Sequence, residues 1–307
     1  MRSVLTLFDL TTAEIDSVLT VAEKLKSKLA QQIRQPLLTG RVMGLLFEKP
    51  SLRTRVSFEA AMTHLGGGSV FLGEDVGWKH RESASDFARV LSEYVDVIAC
   101  RAKNHGTVEE LAKYSSCPVI NGLTDLSHPC QALADLFTMR ERSGPLAGQK
   151  LAYVGDANNV ARSLAVACGK LGVQFSIASP VNYQFDDAFI QQLKSECSGV
   201  QIEHTTDPFE AVADASAVYT DVWASMGQEG ERNQRANAFA SFQVNDRLMS
   251  RAPKDACFLH CLPARRGEEV TDDVIDGAQS AVVQQAANRM HVQKGLLAWL
   301  LGASESA

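Results

Sequence analysis

Short apolar runs alternate with segments of helical period along most of this 307-residue chain. Val42-Met43-Gly44-Leu45-Leu46-Phe47 is one such run, apolar at every position and therefore suited to a strand covered on both faces. Buried strands separated by helices pack as parallel sheets. In the first half, strands are expected at 42–47, 69–72, 96–100 and 118–120, and helices near 11–30, 51–65, 84–94, 107–115 and 129–142. A turn-rich break at Ser143-Gly144-Pro145-Leu146-Ala147-Gly148 follows. A second series opens with Lys150-Leu151-Ala152-Tyr153-Val154, then a helix with Leu164, Ala167, Cys168 and Leu171 on one stripe, ended by Gly172. Further strands fit 173–178, 200–203, 216–220, 256–259 and 280–283, before a last helix at about 285–301. The expected fold is α/β: two doubly wound parallel-sheet domains joined by helices. The domains are 1–142 and 150–284, with the C-terminal helix, 285–307, packing back on the first.

Composition narrows the function classes. The residues are 45% hydrophobic and 21% charged, the profile of a globular chain with a core large enough to need no staple. The net charge of −6 argues against nucleic acid, which needs a basic stripe. No apolar stretch reaches membrane-spanning length and the N-terminus lacks a signal-peptide run, so no membrane partner and a cytoplasmic location are expected. The seven cysteines show no framework spacing and read as reduced thiols. Cys257, His260 and Cys261 lie close in sequence, but no second pair completes four ligands, so no metal and no cofactor is expected.

The residues with chemistry cluster where strands end, the place ligands occupy in open α/β sheets. Pro50-Ser51-Leu52-Arg53-Thr54-Arg55 joins the first strand to a helix. A helix N-terminus favours an anion, and guanidiniums added there make a seat for phosphate or carboxylate. Arg101 stands past the strand 96–100. His128-Pro129-Cys130-Gln131 opens a helix; a neutral His donates a hydrogen bond to a carbonyl, and Gln bonds an amide. Asp221 begins a Gly-containing loop, Asp221 to Glu229, and suits an ammonium. Cys261 follows the strand 256–259; a thiol near several guanidiniums would have a lowered pKa. Lys79, His80 and Arg81 sit in a polar stretch that reads equally as a solvated turn or as a loop bringing charge to a site. Gly155-Asp156-Ala157-Asn158-Asn159 marks a strand–helix corner without the full dinucleotide glycine pattern.

Taken together these stretches resemble the aspartate/ornithine carbamoyltransferase family, its ornithine branch most closely. Phe47 through Arg55 resembles the carbamoyl-phosphate loop, and His128-Pro129-Cys130-Gln131 the His-Pro-x-Gln motif. Asp221 through Gly227 resembles the ornithine loop, and His260-Cys261-Leu262-Pro263 the catalytic cysteine motif. All four stand in family order. The resemblance implies that Ser51, Leu52, Arg53, Thr54, Arg101, His128, Gln131, Cys261, Leu262 and Arg289 bind carbamoyl phosphate. It implies that Asn159, Asp221, Ser225 and Met226 bind ornithine, and that Arg53, Arg101, His128 and Cys261 are catalytic. The implied partners are carbamoyl phosphate and L-ornithine, and the implied assembly is a homotrimer with active sites at subunit boundaries. The implied reaction has the neutral δ-amine attack the carbamoyl carbon, with Cys261 or the departing phosphate taking a proton.

Three positions depart from the family pattern. Leu52 stands where a Thr hydroxyl usually meets phosphate, and losing a hydrogen bond to a charged group costs about 1.5–3 kcal/mol. Arg265 replaces a common His, and Gly77 a Gln found in some relatives. Leu52 and Arg265 are features of the N-acyl-ornithine branch, but that branch lacks the Asp221–Gly227 type of loop, so ornithine is favoured. A dicarboxylate acceptor such as aspartate would want cations in place of Asp221. A nucleotide-binding oxidoreductase would want the missing glycines. A non-catalytic paralogue would bind the ligands without turnover.

Overall fold

The computed structural model describes residues 2–78, 81–224 and 229–304. The chain forms two compact units, Met1–Ala134 with Ala287–Ala307, and Asp135–Ala286. The first contains α1 (Thr12–Ala30), β1 (Val42–Phe47), α2 (Leu52–His64), β2 (Gly68–Leu72), α3 (Ala84–Tyr94), β3 (Val97–Arg101), α4 (His105–Tyr114), β4 (Val119–Leu123) and the start of α5 (Pro129–Ser143). The second contains β5 (Lys150–Val154), α6 (Asn159–Leu171), β6 (Gln174–Ala178), α7 (Asp187–Glu196), β7 (Ile202–Thr205), α8 (Pro208–Val212), β8 (Ala217–Thr220), α9 (Arg232–Phe239), α10 (Asp246–Met249), β9 (Cys257–His260) and α11 (Asp272–Ile275). The last helix is α12 (Val282–Leu300), and its residues from Ala287 onward belong to the first unit.

Each unit has one parallel sheet. The first has strand order β2-β1-β3-β4 and the second β7-β6-β5-β8-β9. Among the described residues all seven strand pairings are parallel, as helical crossovers require, with the inner strands buried and the edge strands β2 and β7 largely exposed. The chain reverses its direction of travel across the sheet between β1 and β3, and again between β5 and β8. Those are the switch points at which such sheets hold ligands. The residues picked out by sequence follow β1, β3 and β4 in one unit and β5, β8 and β9 in the other.

Local chemistry sets the element ends. Thr11 and Glu14 form a reciprocal capping box at the start of α1. Ser51 caps α2, accepting the Thr54 N–H at 3.3 Å. Phe58 and Met62 turn the apolar stripe of α2 into the core, where each is worth roughly 1.5–3 kcal/mol of burial. Gly295 lets α12 rest directly on α1: a Cβ there would lie 2.4 Å from the Val18 carbonyl oxygen. The second core is built on stacked Tyr153 and Tyr219, whose ring centroids are 5.6 Å apart, and on Phe258 and Phe239.

The expected strand at 280–283 does not form. Ser280 makes a single bridge to Phe258, and α12 begins at Val282. Ala281, Val282 and Val283 have the composition of a strand, but no Gly or Pro separates them from the helical sequence behind, and the Gln285 N–H already bonds the Ala281 carbonyl at 2.8 Å. Helix α4 starts at His105 rather than 107, because the Asp125 carboxylate receives the His105 N–H at 2.8 Å.

Candidate active site

In the first unit a single guanidinium joins two of the motifs. Arg289, on α12 and 3% exposed, donates from Nη1 to the Gln131 Oε1 and from Nη2 to the Thr54 Oγ1, each at 2.8 Å. Ser51 Oγ lies 3.1 Å from that same Thr54 hydroxyl. Residues 51, 131 and 289 thus meet at the C-terminal ends of β1 and β4. His128 is buried one residue before α5. Burial, then the Arg289 and Arg101 guanidiniums, hold its imidazole well below the usual range, so it is neutral and able to donate a hydrogen bond. Arg101 is buried at the end of β3, where its carbonyl accepts the Glu48 N–H at 2.9 Å.

Arg53 is half-buried on the first turn of α2 and, among the described residues, pairs with no carboxylate. Arg55 is committed elsewhere: its Nε donates to Glu59 at 3.1 Å and its guanidinium lies 3.8 Å from the Phe71 ring centre. Leu52 is 76% exposed, so its side chain gives this cluster nothing, although its backbone N–H remains at the helix start. Cys130 is inert, its thiol pushed up to about 12 by burial.

In the second unit Asp221 leaves β8 and is buried. Its Oδ1 accepts the Cys261 thiol at 3.1 Å and its own neighbour's N–H, from Val222, at 2.8 Å. Its Oδ2 accepts the Asn158 amide at 2.9 Å. Asn158 also caps α6, its Oδ1 receiving the Val160 and Ala161 N–H groups. Sequence reading singled out Asn159 and passed over Asn158. The signal was present as an N-cap residue before an apolar helix, but the link to Asp221 depends on β5 lying beside β8. Asn159 opens α6 and is half-buried. Ser225 and Met226 lie outside the described residues, as do Lys79 and His80.

The expected lowering of the Cys261 pKa is corrected. Burial and the adjacent Asp221 carboxylate push this thiol well above its ordinary value, so it is protonated and donates to Asp221. The arginines near it in sequence pair elsewhere, Arg265 with Glu268 and Arg266 with Asp272 and Asp276.

His260 anchors the turn around Cys261. Its Nδ1 accepts the Leu262 N–H at 2.9 Å, which leaves the proton on Nε2, 3.1 Å from the fully buried Glu269 carboxylate. Gln285 accepts the His260 N–H at 2.9 Å and donates to the buried Asp135 at 2.6 Å. Leu262 is held in the left-handed region at φ 55°. Asp221, His260 and Cys261 place potential metal ligands within 4.8 Å of one another. Both imidazole nitrogens are engaged, with Leu262 and Glu269, so His260 has no lone pair to offer, and the bond within the trio is the one from Cys261 to Asp221.

Residues 2–141 match the family description "Aspartate/ornithine carbamoyltransferase, carbamoyl-P binding domain", and residues 147–300 match its "Asp/Orn binding domain". A protein of Anoxybacillus flavithermus named ornithine carbamoyltransferase is 52% identical over 98% of this chain and 96% of its own length. One of Pyrococcus furiosus, named ornithine carbamoyltransferase, anabolic, is 50% identical over the same shares. The solved Pyrococcus furiosus ornithine carbamoyltransferase superposes with a TM-score of 0.94 at 49% identity, covering 98% of this chain and 97% of that one. The Thermus thermophilus enzyme of that name superposes at 0.88 with 40% identity, covering 98% and 99%.

Proposed function

The chain belongs to the aspartate/ornithine carbamoyltransferase family, and we propose that it transfers the carbamoyl group of carbamoyl phosphate to the δ-amine of L-ornithine, giving L-citrulline and phosphate. The observation that carries the reading is the junction at Arg289, where one guanidinium gathers the phosphate-loop threonine and the His-Pro-x-Gln glutamine.

In this reading Ser51, the Leu52 N–H, Arg53, Thr54, Arg101 and Arg289 hold the phosphate. Gln131 holds the carbamoyl amide, and neutral His128 donates to the carbamoyl oxygen as charge builds there. Asn159, Asp221, Ser225 and Met226 hold the amino acid, with Asp221 on its α-ammonium so that the δ-amine is the end presented for attack. Leu262 lines the reacting centre beside Cys261. The δ-amine has a free pKa of roughly 10 and must attack neutral. Its nitrogen forms the new bond to carbon, the carbon–oxygen bond to phosphate breaks, and the phosphate leaves with the proton. Protonated Cys261 does not take that proton; it orients Asp221.

A homotrimer, a cytoplasmic location and a role in arginine biosynthesis belong to the same proposal. The trimer is supported by exposed Leu52 and Val56 on α2 beside Val70 and Phe71 on the edge strand β2, an apolar surface suited to another copy. The location is supported by seven cysteines that are all free thiols. The pathway role is supported by the word anabolic in the Pyrococcus furiosus relative's name.

Ornithine, N-acetylornithine, N-succinylornithine, putrescine and aspartate assayed as acceptors test the reading. Citrulline formed from ornithine at a kcat/KM well above the other four supports it, and preference for any other acceptor overturns it.

A further inference from the structure

We infer that Arg235, on α9, is a positioning residue for the amino-acid half-site, fixing the segment 221–224 after β8 and reserving Asp221 for the substrate ammonium. This rests on the acceptor reading above. Arg235 is 7% exposed, so its charge has left water and must be met by neighbours. Its Nη1 donates to the Asp156 Oδ2 at 2.6 Å and to the Trp223 carbonyl at 3.0 Å, while Nε meets Glu231 at 3.0 Å. The guanidinium carbon lies 5.0 Å from the centre of the Tyr183 ring.

The two tethered points matter because of what they carry. Asp156 belongs to the corner after β5, two residues before Asn158. Trp223 lies two residues beyond Asp221 in the segment after β8. Strands β5 and β8 are neighbours, with Val154 opposite Thr220. One planar fork therefore locks together the two segments that build the Asp221–Asn158 pair. The Trp223 ring also stacks on Phe239 at 6.0 Å, so α9 holds Trp223 through an apolar contact as well.

The charge arrangement supplies specificity. Asp156 is half-buried and lies close enough to Asp221 to feel its charge. An incoming ammonium would meet two carboxylates. Arg235 occupies Asp156, whereas Asp221 pairs with no cation among the described residues. The ammonium is thus directed to one place, which fixes where the other end of the amino acid points. Lysine has a single ammonium and cannot make the forked contact to Asp156, Glu231 and a carbonyl together.

The test is steady-state kinetics of Arg235→Gln and Arg235→Lys in the full chain, with both substrates varied and folding checked by thermal melting. Expected for Arg235→Gln is a KM for ornithine raised at least tenfold with that for carbamoyl phosphate within threefold of wild type; Arg235→Lys falls between. An equal rise in both KM values, or none, overturns the inference. If Arg235→Gln does not fold, the charge-retaining Lys variant reads the same split. Wild-type turnover of ornithine is measured first: its absence refutes the acceptor reading, and the brace is then read with whichever acceptor the wild type uses.

Discussion

Removing the Arg289 side chain is the sharpest perturbation of the phosphate half-site. Arg289→Ala deletes two 2.8 Å charge-assisted hydrogen bonds and leaves the Gln131 Oε1 and Thr54 Oγ1 to find water. Hydrogen bonds to charged groups contribute about 1.5–3 kcal/mol each, and water entering the vacated space recovers part, so a stability loss of about 2–4 kcal/mol is expected. Urea unfolding reads it. The catalytic loss is larger in effect, because a preorganised cation opposite developing phosphate charge is worth about 10²–10³ in rate. The kcat/KM for carbamoyl phosphate, followed as citrulline at saturating ornithine, should fall by that factor. A second readout comes from His128. Burial is the main cause of its low pKa and Arg289 the next, so the acid limb of the rate profile should move to higher pH in the variant. A folded Arg289→Ala enzyme with kcat/KM within threefold of wild type and an unmoved acid limb would refute the reasoning.

Four further outcomes are expected. Arg53→Ala should cost at least about a hundredfold in kcat/KM with the fold intact, since among the described residues this guanidinium has no carboxylate partner to stabilise; near-normal rates would remove it from the phosphate site. Asp221→Asn should raise the ornithine KM far more than the carbamoyl-phosphate KM, and an equal effect on both would show the acceptor half to be misassigned. Leu52→Thr replaces an exposed apolar side chain with a hydroxyl donor and should lower the carbamoyl-phosphate KM up to about tenfold, as titration of that substrate would reveal. Lys294→Met should stabilise the fold by about 1–3 kcal/mol at pH 7. Burial lowers this ammonium from 10.5 to about 8, so at pH 7 it is charged at a cost in the fold. Between pH 8 and 10.5 the folded chain sheds the proton that the unfolded chain keeps, so the gain should shrink there, and a pH-independent melting difference would contradict the assignment.

The helical and strand register of this chain is legible because its apolar runs are short and sharply bounded. Val42–Phe47 and Ala84–Tyr94 begin and end where composition changes, with Ser83 capping the second. The site residues near strand ends are legible for the same reason, since strand ends are where the apolar run stops. Residue pairings across neighbouring strands are not legible. Cys261 is followed closely by arginines in sequence, yet its partner is a carboxylate forty positions away, brought beside it because β8 pairs with β9. Asn158 and Asp221 meet through the β5–β8 pairing in the same way. The misread strand at 280–283 shows the complementary limit: three apolar residues satisfy a strand by composition, and only the backbone donors of the next turn decide otherwise.

The first unit is discontinuous, made of Met1–Ala134 and of residues after Ala286, whereas the second is one unbroken stretch. On the ribosome these cannot mature in chain order. Met1–Ala134 emerges early but keeps the bed on α1 that receives Gly295 uncovered until α12 has been made, while Asp135–Ala286 already has every residue it needs. Of the two lobes, the one begun first is completed second, and the arginine that gathers the phosphate loop arrives only with α12.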